Sequence, residues 1–364
     1  MRLLEILNQV WFPRIPPAGC RPVGRSILPM GSFPVRARKG KVVVVMGATG
    51  TGKSRLAIDL AVRFGGEVVN SDKMQLYDGL DVVTNKVTDE ETRGIPHHLL
   101  GGVPPDADLT ASDFRLAAGS ATNSIAQRGW VPVVAGGSNS YIEELIDGAG
   151  REFRSRYACC FLWVDVQLKE LHRFVGERVD RMVERGLVEE VRGVFDPEAD
   201  YGRGIRKAIG VPEMDRYLRA EAEGADEWTK ARLLEAAIDD IKANTCKLTC
   251  CQLQKINRLR TLPGWDVHRV DATEVFRKRG EEADRTWDEL VCRPSLEIVG
   301  EFLNQKEKVE EREEGQEEAY FVASSGRKEG KSVLTNETVV RTGGAAAAGA
   351  AAKLASAVVV GATV

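Results

Sequence analysis

An α/β fold built on a parallel sheet is what this sequence predicts, and three observations predict it. Short apolar runs of strand character recur at Lys41 to Met46, Glu67 to Val69, Val131 to Ala135 and Cys160 to Val166. Helix-compatible stretches such as Phe114 to Gln127 separate them, which is the alternation of parallel strands with crossover helices. The first run leads into GATGTGKS, residues 47–54, which satisfies G-x-x-x-x-G-K-[ST] between a four-valine strand and the helix-forming segment SRLAIDLAVRF. The expected class is therefore P-loop NTPase-like, a parallel sheet with a helical subdomain.

The chain divides into four segments. Residues 1–40 hold six arginines, one lysine, a single acidic residue and several Pro and Gly. Arg-rich and acid-poor is the composition of an organelle transit peptide, here with a plastid as the expected address and mitochondrion or cytoplasm as alternatives. Residues 41–167 carry the strand, loop and helix texture of the P-loop core. Residues 168–300 turn helical and then return to the core; in ELHRFVGERVDRMVERGLVEEVRGVF, Leu171, Phe174, Val175, Val179, Met182 and Val183 fall on one face at the 3.6 period. Residues 301–364 pass from the charged run EKVEEREEGQEE to the low-complexity GGAAAAGAAAKLASAVVVGATV, and are expected to be a disordered tail.

Composition narrows the function. With 364 residues and 43% hydrophobic content the chain is long enough for one catalytic unit with a sizeable core. A net charge of -3 provides no broad basic field, so no large nucleic acid is expected as a partner. Seven cysteines, an odd number, argue for a reducing compartment rather than a disulfide framework, and the four histidines have no finger-like spacing to them. No apolar run is long enough to span a membrane.

A P-loop cradles phosphate with converging backbone N–H groups at a helix N-terminus. Lys53 neutralises oxygens, and the Ser54 hydroxyl is offered to Mg²⁺. By itself the motif predicts a polyphosphate with Mg²⁺, and a phosphoryl donor such as ATP is the first guess; FLWVD, ending at Asp165, even resembles the acid-tipped strand of such enzymes. The next stretch of chain points elsewhere. EVVNSDKMQLYDGLDVVTNKVT places Asp72 just after the second strand, at the edge where doubly wound sheets bind ligands, with Gln75, Thr84 and Lys86 behind it. Asp72 reads equally as a base or as the N-cap of the next turn.

From about residue 41 to 272 the chain resembles the isopentenyltransferases, which comprise tRNA dimethylallyltransferases and the adenylate isopentenyltransferases that make cytokinins. The likeness rests on GATGTGKS, NSDK.Q.Y.GLD..TNK, PHHLLG, TASDFR, GGSNSYI, FRSRY..CFLWVDV, GIRKAIGVPEM and HR.DATEV in the family's order, and it is nearest to the plant adenylate enzymes. It implies transfer of the dimethylallyl group from dimethylallyl diphosphate to N6 of adenine in AMP, ADP or ATP, the first step of cytokinin biosynthesis. The P-loop residues Gly47, Ala48, Thr49, Gly50, Thr51, Gly52, Lys53 and Ser54 would hold the prenyl diphosphate. Asp72 would be the base, Thr49 would orient the amine or bridging oxygen, and Arg156 would be a further diphosphate cation. Asp72, Lys73, Gln75, Lys86, Ser138 and Lys230 would contact the nucleotide, with Mg²⁺ on Ser54 as cofactor. The bland readings are loop packing for Thr49 and solvated charge for Arg156 and Lys230.

Two departures from the family pattern stand out: Pro104-Pro105 where an Asp-Pro pair is usual, and Cys251 where arginine is more frequent. Cys246 and Cys250, four apart, read as small apolar helix residues rather than a metal pair. His97 and His98 read as loop-ordering. The alternatives to the adenylate enzyme are a tRNA dimethylallyltransferase and, more distantly, a P-loop small-molecule kinase.

Overall fold

The apolar run after Lys41 is buried on both sides, as the central strand of a parallel sheet must be. In the computed structural model, which describes residues 39–305, it forms β1 (Gly40–Gly47). Its side chains alternate: Val42, Val44 and Met46 enter one core and Val43 and Val45 the other. The chain continues through α1 (Lys53–Phe64), β2 (Gly66–Asn70), a single 3-10 turn (Met74–Leu76), α2 (Asp89–Thr92), β3 (His97–His98), α3 (Ala111–Gln127), β4 (Val131–Ala135), α4 (Asn139–Arg156) and β5 (Tyr157–Asp165). Then come α5 (Leu168–Glu184), α6 (Leu187–Gly193), α7 (Val211–Ala222), α8 (Glu227–Leu259), β6 (Val267–Asp271), α9 (Thr273–Arg277), α10 (Gly280–Trp287) and α11 (Arg293–Asn304).

The sheet is all parallel in the order β3-β2-β4-β1-β5-β6. From β1 the chain moves to one side to make β2, β3 and β4, then crosses to the other for β5 and β6. The loop after β1 therefore lies at the switch point, where the crevice at the carboxyl edge opens. Leu56, Ala57 and Leu60 of α1 pack on one face with Leu171 and Val175 of α5, while Phe114 of α3 and Ile142 of α4 cover the other. Each of these leucine, valine, isoleucine and phenylalanine side chains, fully buried, contributes roughly 1.5–3 kcal/mol.

The helical segment is not set apart from the core. Ile241, Ile256 and Leu259 of α8 belong to the same buried cluster as Val42 and Met46. Strand β6 then pairs with β5 from Phe161–Val267 to Asp165–Asp271. The last helix reaches Asn304, four residues past the expected boundary. Of the leader expected at 1–40, residues 1–38 lie outside the described residues, as does the part of the tail expected at 301–364 that begins at 306. Among those described, no helix is long and apolar enough to cross a membrane.

Candidate active site at the P-loop

The loop between β1 and α1 closes on itself. The Thr51 hydroxyl donates to the Ala48 carbonyl (3.0 Å), and the buried Lys53 ammonium donates to the same oxygen (2.6 Å). Gly52 caps α1 at φ 93°, in the left-handed region that glycine adopts without strain, and a Cβ there would strike the Trp287 ring at 2.6 Å. Ser54, in the first turn of α1, is exposed.

Asp72 stands across from this loop, just beyond the end of β2. Its N–H donates to Asn70 Oδ1 (3.0 Å), and its Oδ1 accepts from Met74 N–H (3.1 Å), so one carboxylate oxygen does cap the short turn. The other, Oδ2, faces Gly137. Although Asp72 keeps an open edge toward the cleft, the packing around it desolvates the carboxylate and raises its pKa; Lys53 and Arg178 pull the other way. Burial likewise lowers Lys53 to about 8, with Asp72 opposing and Arg178 reinforcing. Three charges of both signs thus meet at the mouth of the loop, each shifted toward its neutral form by its surroundings.

Arg178 is the second cation beside the loop, and it was not among the residues expected from sequence. It projects from α5, its Nη2 donates to Thr49 Oγ1 (3.1 Å), and its buried Nε has no protein partner. Desolvation brings its pKa down to about 10, so it stays charged at neutral pH. A signal existed: Leu171, Val175 and Met182 form the buried stripe of α5, and Arg178 occupies the stripe position between them. Gln252 of α8 was missed for the same reason. Its Oε1 accepts from Thr49 N–H (2.7 Å) within a helix stripe of Thr245, Thr249, Ile256 and Leu259.

Arg156, the expected diphosphate cation, is not brought to the loop. It is the last residue of α4, exposed and paired with Glu152. Tyr157 next to it aligns with Gly40, at the amino edge of a nine-residue strand, so Arg156 lies about 30 Å from the carboxyl edge at roughly 3.3 Å per residue. Lys230 is also elsewhere. It pairs with Glu227 in the first turn of α8, 22 positions before Gln252, hence about 33 Å away along the helix.

Gln75 and Lys86 fold their own loop. Gln75 donates to the Thr84 and Asn85 carbonyls, and Lys86 to the Tyr77 and Gly79 carbonyls and to Asp81. Ser138 Oγ accepts from Lys73 N–H (2.9 Å), which sets the backbone beside Asp72. Asp165 is taken by Arg269 (2.7 Å) rather than aimed at the loop. His97 and His98 form β3, bonded to the Ile95 carbonyl and to Glu67. Pro104 and Pro105 supply carbonyls to Ala107 and Ile205, and Cys251 is exposed on α8. Cys246 packs against the apolar core, and among the described residues no cluster of His, Cys, Asp and Glu could by itself hold a metal.

The two arginines make a paired expectation. Arg178→Ala should lower kcat/KM for a diphosphate substrate by on the order of 10²-fold, as for loss of one preorganised donor. Arg156→Ala should change it by less than about twofold, since exposed ion pairs contribute little. Steady-state kinetics of both variants in parallel checks this, and equal losses would return Arg156 to the site.

A P-loop at the switch point of a parallel sheet, faced by a desolvated carboxylate and an arginine, defines an α/β enzyme of group transfer from a phosphorylated donor. The chain belongs to the IPP transferase family, matched over residues 75–156 and 149–258, and is a prenyltransferase. It is 60% identical over 277 residues to adenylate isopentenyltransferase 5, chloroplastic, of Arabidopsis thaliana, covering 76% of this chain and 84% of that one. It is 56% identical over 268 residues to adenylate isopentenyltransferase 7, mitochondrial, of the same plant, covering 73% and 81%. A solved eukaryotic dimethylallyltransferase acting on tRNA shares the fold at TM-score 0.61 and 24% identity, over 75% of this chain and 82% of that one. So does a tRNA isopentenylpyrophosphate transferase from Staphylococcus epidermidis, at TM-score 0.57 and 22% identity, over 72% and 100%.

Proposed function

We propose that this chain transfers the dimethylallyl group of dimethylallyl diphosphate to the N6 amine of adenine in AMP, ADP or ATP, releasing diphosphate. One observation carries the reading: a desolvated carboxylate, Asp72, faces two cations, Lys53 of the P-loop and Arg178 of α5. A carboxylate base also occurs in phosphoryl transfer, where it serves a hydroxyl, so what favours prenyl transfer here is the family to which the chain belongs. In that family's reaction the acceptor is an amine with a delocalised lone pair, which needs such a base.

The chemistry divides among these groups. Lys53, the loop amides and Arg178 face the diphosphate, whose charge grows as the C1–O bond breaks. The N6 lone pair forms the new bond to C1, and the N6 proton passes to Asp72 Oδ2, the oxygen not engaged by Met74. Thr49, its hydroxyl fixed by Arg178, lies between the two halves. Beyond Asp72, Lys73 is half-buried and feels the charges of Lys207 and Lys255. Burial first and Lys207 next lower its pKa, Asp108 opposes and Lys255 adds to the lowering, and the three lysines together suit the acceptor's phosphates. Ser54 fits Mg²⁺ as a hard oxygen ligand in an exposed position. With no acid cluster beside it among the described residues, the remaining ligands would come from the diphosphate, and the ion would add further charge stabilisation there.

The charges set the pH profile. Asp72 must be ionised and Lys53 protonated in the free enzyme, so kcat/KM for the donor should be bell-shaped. Because Asp72 is raised, the acid limb lies above its ordinary 3.8; because Lys53 is lowered, activity falls as pH rises through about 8. Lys53→Arg should remove the alkaline limb near 8 while the acid limb stays. An unchanged alkaline limb would assign it to another group.

The deciding assay offers the donor with AMP, ADP, ATP or a tRNA carrying an anticodon-loop adenine and weighs the products. Dimethylallyl on free nucleotide is expected; product on tRNA alone, or phosphoryl transfer, would overturn the proposal. The Arg-rich, acid-poor leader supports delivery to a plastid, in keeping with relatives named chloroplastic.

A further inference from the structure

We infer that Gln252 is a positioning residue for the transfer, setting the gap between the leaving diphosphate and the attacking amine through one buried amide. The inference rests on the P-loop as the donor site and Asp72 as the base, a reading that Asp72→Asn tests separately. Gln252 is 7% exposed. Its Oε1 accepts from the Thr49 N–H in the P-loop (2.7 Å), and its Nε2 donates to the Gly137 carbonyl (3.0 Å). Its own main-chain carbonyl accepts from Asn139 Nδ2 (3.3 Å).

These contacts join two loops that otherwise belong to different strands. Thr49 follows β1 and sits on the donor side; Gly137 follows β4 and borders the acceptor side. A Cβ on Gly137 would fall 2.6 Å from Gln252 Nε2 and 3.3 Å from Asp72 Oδ2, so the bridging amide and the base meet over the same glycine. Since Thr49 N–H is already bonded, that amide is not one of those left for the anion. Its function is to hold the Thr49 hydroxyl, which Arg178 also grips, at a fixed distance from Asp72. In-line attack is sensitive to that distance, because both substrates are bound by other groups and only their separation changes.

The experiment compares kcat with KM. Gln252→Met keeps length and volume but removes both hydrogen bonds, and should lower kcat by roughly 10 to 10²-fold, the cost of a misplacement of about 1 Å, while donor and nucleotide KM stay within about threefold. Gly137→Ala approaches the same bond from the other side. Its methyl must displace the Gln252 amide and should give the same split. Gln252→Glu keeps the acceptor for Thr49 but sets a carboxylate beside the Gly137 carbonyl and near Asp72, and should move the acid limb of the pH profile upward. Wild-type kcat in Gln252→Met would overturn the inference, as would parallel loss of kcat, KM and melting temperature. If Gln252→Met does not fold, Gly137→Ala decides: reduced kcat at held KM with an unmoved acid limb supports the role, whereas unchanged kcat, or a loss that comes with a shifted acid limb and so acts on Asp72 itself, refutes it.

Discussion

Asp72→Asn should fold, melt and bind both substrates as the parent does, and lose transfer by roughly 10² to 10⁴-fold, the usual scale for removing a general base. The substitution is selective because the proposal gives the two oxygens of Asp72 separate functions, one a cap and the other a base. Asparagine retains an Oδ1 that accepts from Met74 N–H, so the cap at the start of the 3-10 turn survives. The amide placed at Oδ2 cannot take the N6 proton. Single-turnover transfer measured beside a thermal melt supplies both halves. Near-normal transfer with an unchanged melt would leave Asp72 as a cap alone.

Lys53→Ala should depress kcat/KM for dimethylallyl diphosphate by on the order of 10² to 10³-fold with nucleotide affinity held, because the lost charge stabilises a leaving group whose own charge increases along the reaction. A second consequence distinguishes this from simple loop damage. Lys53 is the largest influence lowering the Asp72 pKa against burial, so without it the residual activity should show an acid limb at higher pH than the parent. Collapse of nucleotide binding with donor binding intact would place the wrong substrate on the loop.

How legible the site was depends on whether its information is local. The P-loop can be read directly, since eight consecutive residues carry both the turn chemistry and the phosphate-binding motif. Asp72 needed the family resemblance, as an Asp after a strand is also a good cap, and the structure shows that it is one. Arg178 and Gln252 were hidden by company. Helix α5 also carries Arg173 and Arg181, so one more arginine reads as solvated surface unless its register with Leu171, Val175 and Met182 is counted. Gln252 stands beside Cys251, whose departure from the family pattern is the louder feature; yet the cysteine is exposed, and the glutamine occupies the buried stripe of α8. In both helices the signal is a polar residue at an apolar stripe position.

Arg156 failed for a topological reason. In a parallel sheet, a residue immediately before a strand lies at the edge opposite the one where ligands bind. Without knowing that β5 begins at Tyr157, FRSRY could be placed at either edge. Strand β6 was equally hard to see, since VHRVD has only Val270 buried and lacks the alternation of a strand with one dry face.

The bond between Thr49 and Gln252 also has a meaning in time. The two residues are 203 positions apart, which at roughly 5–20 residues per second of synthesis is about 10 to 40 s of ribosome travel. The phosphate loop emerges early and can take up its local turn, but the amide that fixes its place opposite Asp72 is among the later parts of the described chain to be made. A growing polypeptide carries a recognisable nucleotide-type motif long before it carries a working centre, and a chain cut anywhere between residues 54 and 252 would keep the motif's letters without the machinery they advertise.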